Sequence, residues 1–142
     1  MNWILCVVLA VVCLSAHYLS LKVLGGSFPA LVVAPIMYVF GLLTLSIIYI
    51  SSNTTFNWSD LISVKTIFFL AVAGITIGLT DFFVVKAINL GGEISSISPM
   101  LVGSTAALVA VSGYLIFSES LSVLKISGIV LAIIGTVLIH KG

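Results

Sequence analysis

Long apolar segments alternate with short polar breaks along nearly the whole chain. Five of these segments are long enough to cross a hydrocarbon core of ~30 Å as α-helices of about 20 residues. The pattern therefore predicts an all-α integral membrane protein with five transmembrane helices and short loops, forming a single domain over residues 1–142. The predicted spans are about 3–24, 29–50, 65–90, 94–117 and 121–140, and the longest polar break is SSNTTFNWSD at 51–60.

Composition excludes a water-soluble protein. The chain is 61% hydrophobic and 6% charged, whereas a soluble domain carries about 25% charged residues. All five basic residues are lysines, and they are scattered along the chain, so no basic patch for nucleic acid is expected. The expected surroundings are the lipid bilayer, and we expect the plasma (inner) membrane of a bacterium.

The odd number of spans predicts chain termini on opposite sides of the membrane. Side A then holds the amino terminus, and side B holds one more lysine than side A, which makes side B the better cytoplasmic candidate. The bias is small enough for both orientations to coexist. The first segment lacks a basic n-region, so we expect a span there and not a cleaved signal peptide. The side-A lysines are Lys65 and Lys125, and the side-B lysines are Lys22, Lys86 and Lys141.

Two ionisable residues lie inside the apolar spans. His17 and Asp81 each lie five residues before a side-B lysine, which places both about 7 Å inward from it. An ionisable group inside a membrane costs several kcal/mol unless it is paired or hydrated. We therefore predict a polar cavity for substrate binding or proton exchange in this half of the membrane. Its predicted residues are Asp81, His17, Tyr18, Tyr38, Ser95, Ser98 and Pro99.

Each of these residues also has a structural interpretation. Asp81 can be hydrated from side B or paired with a serine or a lysine, and His17 can be a packing residue. Pro99 can act as a helix kink, because its ring removes a backbone donor, and the two tyrosines can be interface anchors. Glu119 lies at a helix connection, so we expect it to serve as a structural cap.

Small residues recur at helical spacing in the last three spans. Gly74-xxx-Gly78, Gly103-xxx-Ala107 and Gly128-xxx-Ala132 are typical of faces where membrane helices approach closely, and Gly135 lies on the stripe of Gly128. Some of these faces are expected to pack within the chain. The others require a second copy or a different partner.

Several residues in the last 60 positions match a known pattern in order and spacing. They are Lys86-Ala87 at the end of the third span, Gly91 or Gly92 after it, Pro99 early in the fourth, Glu119 followed by Leu121-Ser122, and Gly128 and Gly135 in the fifth. This region resembles the EamA-type repeat of the drug/metabolite transporter superfamily. The resemblance implies a five-helix repeat, and family members usually carry two inverted copies that enclose a substrate cavity. With one copy, the chain resembles a half-transporter.

The resemblance implies a membrane transporter of a small solute or metabolite that works by alternating access as a dimer. An antiparallel homodimer would reproduce the inverted arrangement, and a paired half-transporter is the other form of assembly. The alternative function is an accessory or flippase subunit for a lipid-linked substrate, working with a different membrane partner. The family also resembles small four-helix multidrug transporters, which use a glutamate in the first span. This chain has no carboxylate there, so their mechanism of proton-coupled cation export is not expected.

An enzyme is not expected from this sequence. The chain lacks the HExxH, GxSxG and CxxC patterns that mark common catalytic and metal-binding sites. It has two histidines, two cysteines and four acidic residues in total, and they are spread along the chain. We therefore expect no catalytic residues, no metal site and no cofactor.

Overall fold

Five α-helices account for most of the chain in a computed structural model that describes residues 3–52 and 63–141. These described residues contain no strand, so the prediction of an all-α protein with five helices is confirmed. Most of the polar break predicted at 51–60 lies outside the described residues. The helices are α1 (Trp3–Gly25), α2 (Ala30–Ser51), α3 (Val64–Asn89), α4 (Ile94–Phe117) and α5 (Val123–Lys141).

Four of the helices are long and apolar enough to cross a bilayer. Their most apolar stretches have a mean hydropathy of 1.9 to 2.4. The apolar part of α5, Val123–Ile139, is shorter than the other four. Almost all large apolar side chains on the described helices are exposed at the surface of the chain, as lipid contact requires.

The connections between helices use residues suited to sharp turns. Pro29 precedes α2 with an extended backbone, and its ring is preorganised for a helix start. Gly91 follows α3 with φ of +94°, a conformation that a side chain would strain. Ser118 ends α4 in the left-handed region, and the Ser122 hydroxyl accepts the backbone N–H of Lys125 at the start of α5.

The helices group into two compact units, α1–α3 and α4–α5. In the first unit the core lies at one end, which we call the packed end: the last turns of α1, the first turns of α2 and the last turns of α3. No described residue of α1 before Leu21, of α2 after Ala34 or of α3 before Asp81 is buried. The buried apolar residues of the packed end are Leu21, Ala30, Val33, Ala34, Val84, Val85 and Ile88.

The second unit is an antiparallel pair, and its closest approach is at Gly103. A Cβ atom on Gly103 would collide with the Thr136 hydroxyl and lie 3.5 Å from the Ala132 carbonyl oxygen. The Thr136 hydroxyl lies 2.8 Å from that carbonyl and 3.3 Å from the carbonyl of Pro99 on α4. A residue without a side chain is therefore needed where α4 meets α5.

Replacing Gly103 with valine should destabilise the α4–α5 pair. Threonine has few χ1 rotamers in a helix, so Thr136 cannot easily move away from the added methyl groups. We expect the free energy of unfolding in detergent to fall by about 1–3 kcal/mol, as overpacking does in other cores. Gly41→Val is the matched control, because a Cβ at Gly41 meets no described atom within 4 Å. Equal losses in the two variants would contradict close packing at Gly103.

Reporter fusions at residues 1 and 142 should lie on opposite sides of the membrane. Since both orientations are expected to coexist, extra lysines next to Gly26 and Gly92 would first bias the chain to one orientation. In that background, a compartment-sensitive reporter should be active at one terminus only. Activity of both fusions in the same compartment would rule out five crossings.

Candidate functional site

Asp81 is a buried charged residue in the apolar helix α3, with only 6% of its surface exposed. A carboxylate in this position is unfavourable unless its oxygens have hydrogen-bond partners. It lies one turn before Val85, which is fully buried in the packed end. The carboxylate therefore forms the polar boundary of the core of the first unit.

Both oxygens of Asp81 have a partner from another helix. His17 on α1 places its Nε2 atom 3.1 Å from Oδ1. Tyr38 on α2 donates its hydroxyl hydrogen to Oδ2 at 2.5 Å. We call these three residues the Asp81 triad. It joins all three helices of the first unit through one side chain.

The sequence places the triad by helical periodicity. Residues four apart in a helix lie on the same face, one turn above each other. Each member of the triad is four residues from a buried residue of the packed end. All three therefore lie one turn from the packed end, on the helix faces that form it. These neighbours are Leu21 for His17, Ala34 for Tyr38 and Val85 for Asp81.

The three side chains differ in their access to the surface. The Asp81 side chain is 8% exposed, whereas the His17 side chain is 33% exposed. Tyr38 is 37% exposed. The Tyr18 ring lies beside the imidazole, with centroids 5.7 Å apart and ring planes at 52°. A ligand approaching the triad would therefore meet the imidazole and the phenol before the carboxylate.

The sequence interpretation placed these residues at one depth but did not identify their pairing. It considered a serine or a lysine as the partner of Asp81, and the structure has His17 and Tyr38 instead. Lys86, the side-B lysine on the same helix, lies over the Phe82 ring with its Nζ 5.9 Å from the centroid. The roles of the triad and of Tyr18 in transport stay predictions.

The other predicted cavity residues are on α4, in the second unit. Pro99 leaves the Ser95 carbonyl without a helical donor, and the Ser95 hydroxyl lies 3.5 Å from a Glu93 carboxylate oxygen. Ser98 is half-buried. The Pro99 carbonyl accepts the Thr136 hydroxyl. Thr136 was not identified from the sequence, although it lies four residues after Ala132 on the small-residue stripe.

The predicted packing glycines fall into two groups. Gly103 contacts α5, as described above. At Gly74, Gly78, Gly128 and Gly135, an added Cβ would meet no described atom within 4 Å. These four positions therefore have free space beside them in the single chain, and their role in packing stays a prediction.

Glu119 folds back on the last turn of α4. Its backbone N–H donates to the Gly113 carbonyl at 3.2 Å. One carboxylate oxygen lies 3.1 Å from the position that a Cβ on Gly113 would occupy. This geometry is compatible with the capping role predicted for Glu119 and would not accommodate a larger residue at Gly113 without a shift.

The whole chain carries the pattern of one transporter family. Residues 1–140 match the EamA-like transporter family. The chain belongs to that family. No curated protein and no solved structure matches it. The resemblance carried by the last 60 residues thus extends over almost the full sequence, and the prediction of an EamA-type repeat is confirmed.

Membership in the EamA-like family identifies the chain as a multi-pass integral membrane protein of a transporter family. Members of this family are transporters and not enzymes. Contact with the lipid bilayer follows from the same assignment and from the exposed apolar helices. The three residues of the Asp81 triad therefore lie on three candidate spanning helices of a transporter-family protein.

Proposed function

We propose that this protein moves a small solute across the bacterial inner membrane by alternating access, and that two copies of the chain form the working transporter. The observation that carries the proposal is the Asp81 triad. It is a polar cluster inside the spanning part of the first unit, in which both carboxylate oxygens of Asp81 have a hydrogen-bond partner. Ionisable groups at such depth are typical of substrate and ion pathways. The triad and the residues near it are the proposed solute-binding or proton-exchanging groups.

The position of the triad supports a site that opens to one side at a time. The packed end lies on the side-B side of Asp81, and it includes Lys22 and Lys86 in the last turns of their helices. On the other side of the triad, α1, α2 and α3 contain no buried described residue. In this arrangement, a solute would reach the triad from side A and would be blocked from side B by the core.

Small residues on α3 leave room for a second arrangement, in which the site is open to side B and closed to side A. Gly74 and Gly78 precede Asp81 by seven and three residues, so they lie on the same stripe of α3. Because the space beside both glycines is free, α1 or α2 can approach α3 there without a collision. Closure at these glycines with loosening of the packed end would expose the triad to side B.

The assembly of two copies is supported by how little each unit buries by itself. In the second unit the only buried described residues are Gly103 and Gly113. Gly128 and Gly135 on α5 have free space beside them. A second chain would cover these faces, and inverted orientation of the two chains would complete the two-repeat arrangement of the family. The nearly balanced lysines permit both orientations.

Replacing Asp81 with asparagine should reduce transport strongly. Asparagine keeps size and polarity but removes the charge that strengthens both hydrogen bonds in the triad. A hydrogen bond to a charged group contributes about 1.5–3 kcal/mol, so we expect transport to fall by about 10- to 100-fold. A solute panel would first be screened for thermal stabilisation of the purified protein. Uptake of a labelled hit into proteoliposomes would then be measured at several pH values.

Glu119→Gln is the matched control for this experiment. It makes the same chemical change at a carboxylate outside the triad, and it should lower the yield of protein more than the transport rate per molecule. Normal transport by Asp81→Asn at every pH would show that Asp81 is only a boundary residue. Size-exclusion chromatography would confirm that the variant still assembles.

Leucine at Gly78 or Gly128 should disrupt assembly of the two chains. A Cβ added at either position meets no described atom within 4 Å in the single chain, so loss of dimers would point to contact with another copy. Gly41→Leu is the matched control, since its surroundings are equally open but Gly41 is not part of a small-xxx-small pattern. Leu131→Ala, at a position 68% exposed, should have little effect. The measurement is the cross-linked dimer fraction in lipid, and equal fractions in all four variants would contradict the proposed interface.

A further inference from the structure

We propose that the proton-exchanging atom of this site is Nδ1 of His17, and that Asp81 remains an ionised carboxylate which positions the imidazole. The inference rests on the transport function proposed for the same site, and it assigns the roles within the triad. His17 is then the group that gains and loses charge. Asp81 is a positioning residue.

With Asp81 ionised, as proposed, its contact with His17 specifies which ring nitrogen carries a hydrogen. An ionised carboxylate only accepts hydrogen bonds, and the oxygen of Asp81 that does not receive the Tyr38 hydroxyl lies 3.1 Å from Nε2. Nε2 must therefore carry a hydrogen to bond to it. In a neutral imidazole the other nitrogen, Nδ1, then has no hydrogen and presents a lone pair.

The Nδ1 atom is also the accessible one. Among the described residues, the hydrogen bond of the His17 side chain is made by Nε2. In that same part of the chain, no side-chain nitrogen or oxygen is buried without a partner, so Nδ1 has access to the surface. The His17 side chain is 33% exposed and that of Asp81 is 8% exposed. The imidazole is therefore the more exposed of the two groups, and with the side-A access proposed above a proton would meet it before the carboxylate.

Protonation at Nδ1 leaves the triad intact. The new N–H points away from Asp81, and the Nε2–H and Tyr38 hydroxyl bonds both keep their acceptor. A proton on Asp81 would instead remove the negative charge that strengthens both bonds. The uptake step transfers one proton from water to the Nδ1 lone pair, breaks no bond within the protein and changes the charge of the triad from −1 to zero.

The ionisable groups around His17 come from three helices. Asp81 faces it from α3, Tyr38 faces it from α2, and Tyr18 lies beside it on α1. Lys22 lies about 7 Å further along α1 and is exposed. Of these side-chain types, histidine is the one whose charge ordinarily changes between about pH 5 and 8. The triad thus combines a titrating group with a fixed negative charge.

Nitrogen NMR of the histidine ring tests this assignment. The chain has two histidines, so His140→Asn leaves His17 as the only one. In the ¹⁵N-labelled full-length protein in lipid bilayers, we expect Nε2 to be protonated at all pH values between about 4.5 and 9. Nδ1 should be unprotonated at the upper end and become protonated on acidification. The Asp81 carboxyl carbon, observed in an Asp60→Asn background, should keep the chemical shift of an ionised carboxylate.

Three NMR results would contradict the assignment of the proton to Nδ1. A hydrogen on Nδ1 at high pH, an unchanging imidazole, or a carboxyl signal that moves to the protonated form in this range would each overturn the proposal. Asp81→Asn should give a mixture of both histidine tautomers, because asparagine can either accept from or donate to Nε2. Tyr38→Phe is the comparison variant and should retain the single tautomer.

The NMR measurement does not depend on transport, so the two proposals can fail separately. The expected titration at Nδ1 without solute movement in proteoliposomes would leave the proton site standing and refute the transport function of the triad. Solute transport that requires Asp81, together with titration of Asp81 in place of His17, would support the transport function and refute the assignment made here.

Discussion

A carboxylate in a lipid-spanning helix is stable only when its oxygens have hydrogen-bond donors, and here those donors come from two other helices. The requirement sets the positions of α1 and α2 along α3, because His17 and Tyr38 reach Asp81 only in one register. The apolar residues of the packed end then interlock one turn away. Polar pairing and core packing thus specify the same arrangement of the first unit, although lipid itself offers little preference between apolar helix faces.

The first unit is correspondingly asymmetric along the membrane normal. Its core occupies the end where α1 turns into α2, and a Cβ on Gly25 would lie 3.0 Å from the Ile88 side chain there. Beyond the triad, no described residue of these three helices is fully buried. A carrier needs one region that holds its helices together and another that can rearrange. The boundary between the two regions in this unit coincides with its only buried charge among the described residues.

Much of this arrangement could be predicted from the sequence, because a helix converts distance along the chain into depth in the membrane. Five helices and the common depth of His17, Tyr38 and Asp81 followed from that relation alone. The pairing of these residues also depends on how each helix is rotated about its axis. Since the spans are apolar on all sides, no amphipathic pattern indicates that rotation.

The small-residue patterns also do not indicate which helix face contacts a neighbour. Gly74-xxx-Gly78 and Gly103-xxx-Ala107 have the same form in the sequence, yet among the described residues an added Cβ would meet another helix at Gly103 and not at Gly74 or Gly78. The partner that decides this is Thr136, a polar residue whose hydroxyl meets two carbonyls. Spacing identifies positions where close approach is sterically allowed, and the facing residues determine where it happens.

The short fifth helix has a consequence for the surrounding lipid. On α3, Lys65 and Lys86 are separated by about 32 Å, close to the ~30 Å thickness of the hydrocarbon core. On α5, Lys125 and Lys141 are separated by only about 24 Å. Their ammonium groups can reach both headgroup layers only if the side chains extend along the helix axis or the bilayer becomes thinner locally. The protein should therefore partition into membranes with shorter acyl chains, and bilayer thickness becomes a property to which its second unit responds.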